Sequence, residues 1–230
     1  MPSRLTAVAC ALMFAATPIM AQNINLPPNP AFPIGPFGLP SVATVGQTFT
    51  APAPTNVLKS FQFYLANDLD NGGNGGNLLF RGYVSEFDMV NDKLTGPLLF
   101  QSAVTTGNSS TTLSPFLFNT GFLVLDPGKA YVAFLSASGL TPTGGVGVAV
   151  NSVGGSDATN SRGSLVFSDS GNNFGFLSQN DAFGVVEGSN AAFSAQFTVT
   201  PEPSEFVLLA SGLSGLAGIV RLRRRRVASV

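Results

Sequence analysis

Two stretches far apart in the chain, "LKSFQFYL" at residues 58–65 and "AAFSAQFTVT" at residues 191–200, place apolar side chains at every second position. A period of two suits a strand with one buried face and no helix. Phe61, Phe63 and Leu65 point one way while Ser60, Gln62 and Tyr64 point the other. Phe193, Ala195, Phe197 and Val199 likewise alternate with Ser194, Gln196 and Thr198. "LLFRGYVSEF", "PLLFQSAV" and "AYVAFLSASG" read as further strands. Gly, Asn, Pro and Ser separate them at the short spacing of a sandwich or barrel. The 26 glycines, 16 prolines and 20 phenylalanines fit such a turn-rich, Phe-cored body. No segment before Glu205 offers a helical period. The expected fold is all-β, an antiparallel β-sandwich of jelly-roll-like form over residues 41–200. Phe61, Phe63, Phe134, Phe193 and Phe197 are expected in its core, and "GQTFT" and "AQFTVT" are expected as first and last strands paired side by side. Residues 22–40, with Pro27, Pro28, Pro30, Pro33, Pro36 and Pro40, read as a semi-rigid extended leader that packs through Phe32 and Phe37.

Chemistry is sparse in this body. The chain has no His and no Trp, and its single cysteine is Cys10. Disulfides, Cys/His zinc sites, Cys nucleophiles and His general bases are thereby excluded from residues 22–200. That span holds five basic residues (Lys59, Arg81, Lys93, Lys129 and Arg162) against ten acidic ones. An acidic body without a basic stripe argues against nucleic-acid binding.

The polar loop "NDLDNGGNGGN", residues 67–77, offers Asp68, Asp70, Asn71 and Asn74 as hard oxygen ligands for calcium. It departs from the helix-loop-helix calcium pattern, with Gly72 at a ligand position and Leu79 where the closing Glu belongs. A hairpin loop capped by Asn and Asp is the other reading, so the body needs no cofactor. Glu86 and Asp88 flank Phe87 and share one strand face, as two glycosidase carboxylates or as an ordinary solvated edge. "TPTGGVGVAV" lacks the Lys and helix of a phosphate loop and reads as a turn into a strand. Tyr64, Tyr83 and Tyr131 are the tyrosines available for sugar stacking.

The two ends carry addresses. Arg4, the apolar Leu5–Ala16, Pro18 and the small residues up to Ala21 have the layout of a secretory signal peptide over residues 1–21, removed by signal peptidase. The run "LTAVA" before Cys10 is too short for a lipoprotein signal. At the other end Phe206–Val220 is fifteen residues without a charge. As a helix it would cover roughly 22 Å of a hydrocarbon core about 30 Å thick, a short transmembrane helix. Arg221, Arg223, Arg224, Arg225 and Arg226 follow it as a stop-transfer cluster, held in the cytoplasm by the positive-inside rule. Pro201-Glu202-Pro203 precedes it, kept extended by its two prolines.

The ordered series Pro201-Glu202-Pro203, apolar segment and arginine cluster, residues 201–226, resembles the PEP-CTERM sorting signal. The resemblance implies a membrane transpeptidase of the exosortase type as processing partner, recognising Pro201, Glu202 and Pro203. It also implies an exopolysaccharide-producing, Gram-negative-type bacterial host. "VGQTFTAP", "FQFYL", "GPLLFQSAV" and "LDPGKAYVAFLSASG" also resemble secreted β-sandwich domains that carry this signal, and bring no catalytic residues with them. The expected protein is exported, passes through an inner-membrane intermediate, and reaches the cell surface or the extracellular (biofilm) matrix. It acts there as a structural or adhesive protein and not an enzyme. The alternative is a carbohydrate-binding module of the same fold.

Overall fold

The computed structural model describes residues 22–39, 42–68, 74–140, 149–158, 163–169, 171–179 and 183–199. Two seven-stranded antiparallel sheets face each other. With strands numbered in chain order, the first sheet holds β1 (Ile24–Leu26), β2 (Asn29–Leu39), β4 (Val57–Asn67), β8 (Ser114–Val124), β10 (Ala149–Ser156), β13 (Asn190–Ala191) and β14 (Phe193–Thr198). The second holds β3 (Thr44–Thr50), β5 (Leu79–Asp88), β6 (Lys93–Gln101), β7 (Thr105–Thr106), β9 (Ala130–Ser136), β11 (Leu165–Ser168) and β12 (Gly184–Val186). The chain is an all-β sandwich.

The lanes of the first sheet follow from its register. Phe63 pairs with Phe116 of β8 and with Phe193 of β14, so β8 and β14 flank β4. Leu65 pairs with Ser114 of β8 and with Val153 of β10, which puts β10 on the β14 side. β1 runs outside β14 and β2 outside β10. The second sheet runs β12-β11-β3-β9-β5-β6, with β7 also paired to β5.

Phenylalanine fills the space between the sheets. Phe49 of β3 lies 6.1 Å from Phe193 and 5.9 Å from Phe197 on the facing sheet. Phe80 of β5 meets Phe116 and Phe118 of β8 at 5.5 and 6.4 Å. Offset and edge-on rings at such distances add to the gain from burial. All five phenylalanines expected in the interior are buried, Phe61, Phe63, Phe193 and Phe197 between the sheets. Phe134 lies in a second cluster, where it joins Tyr83, Phe87, Val132, Val166, Leu177 and Phe183. The cover over the second sheet's outer face comes from a short helix, α1 (Phe174–Gln179), and the segment at Phe183. Covered on both faces, β9 reads "AYVAFLS" without alternation, as a fully buried strand does.

Three findings depart from the sequence reading. "GQTFT" and "AQFTVT" are not paired: β3 lies between β9 and β11, while β14 lies between β1 and β4 in the facing sheet. They meet through side chains across the core, because alternation says which face is inward and not which strand is adjacent. α1 went unseen since six residues are too few to display a 3.6-residue period. The Pro-rich stretch is extended and supplies β1 and β2, the outermost lane of the first sheet. Pro30, Pro33 and Pro36 have no N–H to donate, which an outer lane tolerates. Phe37 is fully buried there; Phe32's side chain lies outside the described residues.

The segments expected as signal peptide and as transmembrane helix (Phe206–Val220) lie outside the described residues, as do Pro201, Glu202, Pro203 and the arginines 221 and 223–226. Among the described residues no helix is long and apolar enough to cross a membrane.

Candidate functional site

The polar loop expected as a calcium site is rooted in asparagine amides. Asn67 at the end of β4 accepts the Gly75 N–H on its Oδ1 at 2.9 Å. Asn151, fully buried on β10, accepts the Asn108 N–H at 2.9 Å and donates Nδ2–H to the Asn108 carbonyl at 2.8 Å. Asn108 in turn donates Nδ2–H to the Leu65 carbonyl at 2.7 Å. A Cβ on Gly75 would fall 2.0 Å from Asn151 Nδ2, so only glycine fits beneath this clasp. Of the four candidate ligands, Asp68 is buried, Asn74 is exposed, and Asp70 and Asn71 lie outside the described residues. Among the described residues no three His, Cys, Asp or Glu side chains gather as a metal group. The sequence reading missed the clasp partners Asn108 and Asn151; their separation from the loop along the chain leaves no local signal.

Glu86 and Asp88 do share one parity of β5, and each is engaged at its own position. Lys129 Nζ lies 3.4 Å from Glu86 Oε1 and 2.7 Å from Asp126 Oδ2. Its hydrogen bonds to Asp126 and Glu86 hold the ammonium above the usual lysine range. Asp88 caps the turn that follows β5: its carboxylate accepts Asn91 Nδ2–H at 2.6 Å and the Val90 and Asn91 backbone N–H at 2.8 and 3.1 Å. Those bonds, the Asn91 side chain foremost, hold its carboxyl below the usual aspartate range. The segment "TPTGGVGV" (141–148) lies outside the described residues.

Two of the three tyrosines are not available to a sugar. Tyr83 is stacked between Phe134 at 5.0 Å and Phe174 of α1 at 4.8 Å, and burial pushes its hydroxyl up in pKa. Tyr131 lies in the main core and accepts the Asp126 N–H on its hydroxyl at 2.9 Å. Both sit on strands buried on two faces, a placement that composition does not reveal. Tyr64 alone stands half-exposed, on the outer face of the first sheet opposite Pro115 and beside the Gln62–Leu117 pair.

No family model matches the chain, and no curated protein matches it. The chain is similar in fold to the cysteine protease and lectin-like domains of Cwp84, a surface layer associated protein of Clostridium difficile. The identity is 12%, the TM-score 0.43, and the match covers 68% of this chain and 32% of that one. It is similar also to clostridial cysteine protease Cwp84 after propeptide cleavage, at 12% identity and TM-score 0.48, covering 78% of this chain and 40% of that one. The chain thus spans well under half the length of both structures.

Proposed function

We propose that this chain is an exported protein sorted to the cell surface or extracellular matrix by a PEP-CTERM signal. Its β-sandwich is non-catalytic and works structurally or adhesively among exopolysaccharide. The observation that carries the reading is the order of the C-terminal elements behind an N-terminal signal-peptide layout. Pro201, Glu202 and Pro203 present an extended substrate, Phe206–Val220 forms the membrane helix, and Arg221 and Arg223–Arg226 stop translocation. The last strand, β14, ends at Thr198, so in the chain the recognition triplet follows it closely. Among the described residues, the two carboxylates that sequence suggested as a catalytic pair are engaged separately, Glu86 in an ion pair and Asp88 in a turn. Successive strands β3, β4 and β5 alternate between the sheets, which supports the finer jelly-roll-like description.

Mass spectrometry of the mature protein in a host with a working exosortase tests the reading. A C-terminus near the Pro-Glu-Pro, and retention of the tail when Glu202→Ala is introduced, are the expected results. An intact terminus at Val230 would reduce the tail to a plain anchor. Tyr64, with Gln62 and Leu117 on an open sheet face, keeps a carbohydrate-binding module as second reading. Polysaccharide pull-down of the wild type against Tyr64→Ala separates the two.

A further inference from the structure

Four of the six large apolar side chains exposed among the described residues gather at one end of the sandwich: Met89, Val90, Phe122 and Val124. The register shows why this is a single end. Thr198 of β14 pairs with Val57, and Val57 pairs with Val124 of β8. The turn after Val124 leads straight into β9, whose Tyr131 opposes Glu86, three residues before Met89 in the turn that also carries Val90.

The same end releases both chain termini of the body. Thr198 lies two lanes from Val124, about 10 Å at the usual strand spacing. Asn23 Oδ1 accepts the Phe197 N–H at 3.1 Å, so residue 22 emerges beside residue 199. The segments read as signal peptide and as membrane helix are therefore both tethered here.

Phe122 is turned outward by the backbone. Gly121 and Phe122 both have positive φ, 69° and 64°, uncommon for a bulky residue. Lys59 of β4 alone opposes Thr120, Gly121 and Phe122, a bulge that swings the ring out of the sheet to 63% exposure. Lys59 Nζ stands 5.9 Å from its centroid, a cation over an aromatic face. Elsewhere at this end Lys129 faces Glu86 and Asp126, and Asp88, Asp92 and Lys93 flank the Met89–Val90 turn, so with Lys59 three lysines stand against four carboxylates. An apolar cluster with nearly balanced charge matches the headgroup boundary of a zwitterionic bilayer more than a strongly charged partner.

We infer that this end of the sandwich rests on the membrane, with Phe122, Val124, Met89 and Val90 seated at the headgroup boundary. The inference depends on the reading of Phe206–Val220 as a membrane helix, and it adds how the body is held against that membrane. Six residues separate Val199 from Phe206. Fully extended they reach about 25 Å. An eleven-residue strand such as β4 is about 35 Å long, so a membrane at the end of this tether meets this end and not the opposite one. The contact would hold Pro201–Pro203 at the bilayer surface, within reach of a membrane-embedded enzyme.

The chain contains no tryptophan, so one introduced indole reports a single place. Full-length Phe122→Trp and, as control, Val104→Trp near the opposite end are reconstituted into phosphatidylcholine vesicles with plain or brominated acyl chains. Flotation is measured first. Failure of the chain to float with the vesicles overturns the membrane-helix reading and this inference with it. If the chain floats, the expected result is roughly twofold or greater quenching by brominated lipid for Phe122→Trp, as for a ring seated about 5–10 Å into the boundary, and none for Val104→Trp. Equal quenching of both, or of neither, overturns the inference and leaves the membrane helix standing. A blue-shifted Phe122→Trp emission that bromine does not touch would mean that a second copy covers the cluster, which also overturns it.

Discussion

Gln47 sits inside "GQTFT" on the inward face of β3, fully buried. Its Nε2 donates to Asn190 Oδ1 at 3.0 Å and its Oε1 accepts the Ala191 N–H at 2.9 Å. One side chain thus ties the second sheet to the first. Gln47→Leu keeps the volume and leaves Asn190 Oδ1 and the Ala191 N–H without this partner, so it should lower unfolding free energy by about 2–4 kcal/mol in urea. Ser85 is the contrast: its Oγ is buried without a hydrogen-bond partner. Ser85→Ala removes a desolvated hydroxyl and should leave stability unchanged or raised by up to about 1 kcal/mol. A large loss there would show that the hydroxyl is bonded. Asp88 makes a pH-dependent contribution. Its folded pKa is depressed, so the stability it adds is present above the ordinary aspartate range and lost as pH falls through the lower folded value. Carboxyl chemical shifts should show Asp88 titrating below the reference of about 3.9, and Asn91→Ala, which removes the side-chain hydrogen bond from Asn91, should bring it back up.

At the scale of elements, α1 and β2 test whether short or proline-rich pieces matter. Leu177 of α1 is 1% exposed over the second core. Leu177→Ala should cost about 2–4 kcal/mol in a denaturant titration, the range for emptying a buried leucine site. Phe174→Ala should also let water reach Tyr83, whose pKa is raised chiefly by burial. That raised value contributes stability below the unfolded tyrosine pKa of about 10 and loses it as pH rises through the folded one. An ultraviolet titration should find Tyr83 ionising earlier in the variant. In β2, Phe37 packs edge-on to Phe80 at 5.5 Å with no exposed surface. Phe37→Ala should cost about 3–5 kcal/mol. A change below 1 kcal/mol would return residues 22–39 to the status of a dispensable leader.

At the scale of the whole molecule, the alternation in "LKSFQFYL" and "AAFSAQFTVT" was enough to select strands and to name the inward phenylalanines. A period of two is a local property, set by the backbone and by which side meets water. The order of Pro201-Glu202-Pro203, apolar run and arginines is local too, which makes the sorting reading legible without any fold. Replacing Arg223–Arg226 with Ser should weaken retention or orientation of the exported chain while leaving the body folded, seen by fractionation and proteolysis. Three things were not legible. The partner of each strand was one: "GQTFT" and "AQFTVT" share a pattern and lie in opposite sheets. The clasp of Asn67, Asn108 and Asn151 includes bonds from Asn108 that span 43 positions, to Leu65 and to Asn151, and they close over Gly75. The gathering of Met89, Val90, Phe122 and Val124 with both termini at one end was the third, since no linear pattern connects a turn, a bulge and a strand terminus. Sequence alone therefore determined the alternating strands and their buried faces, and it carries the proposed address at each end, because these depend on neighbours within a few residues. The tertiary structure decided which strands adjoin, which tyrosines are hidden and which exposed apolar residues share an end with Asn23 and Thr198, because those depend on contacts between residues far apart in the chain.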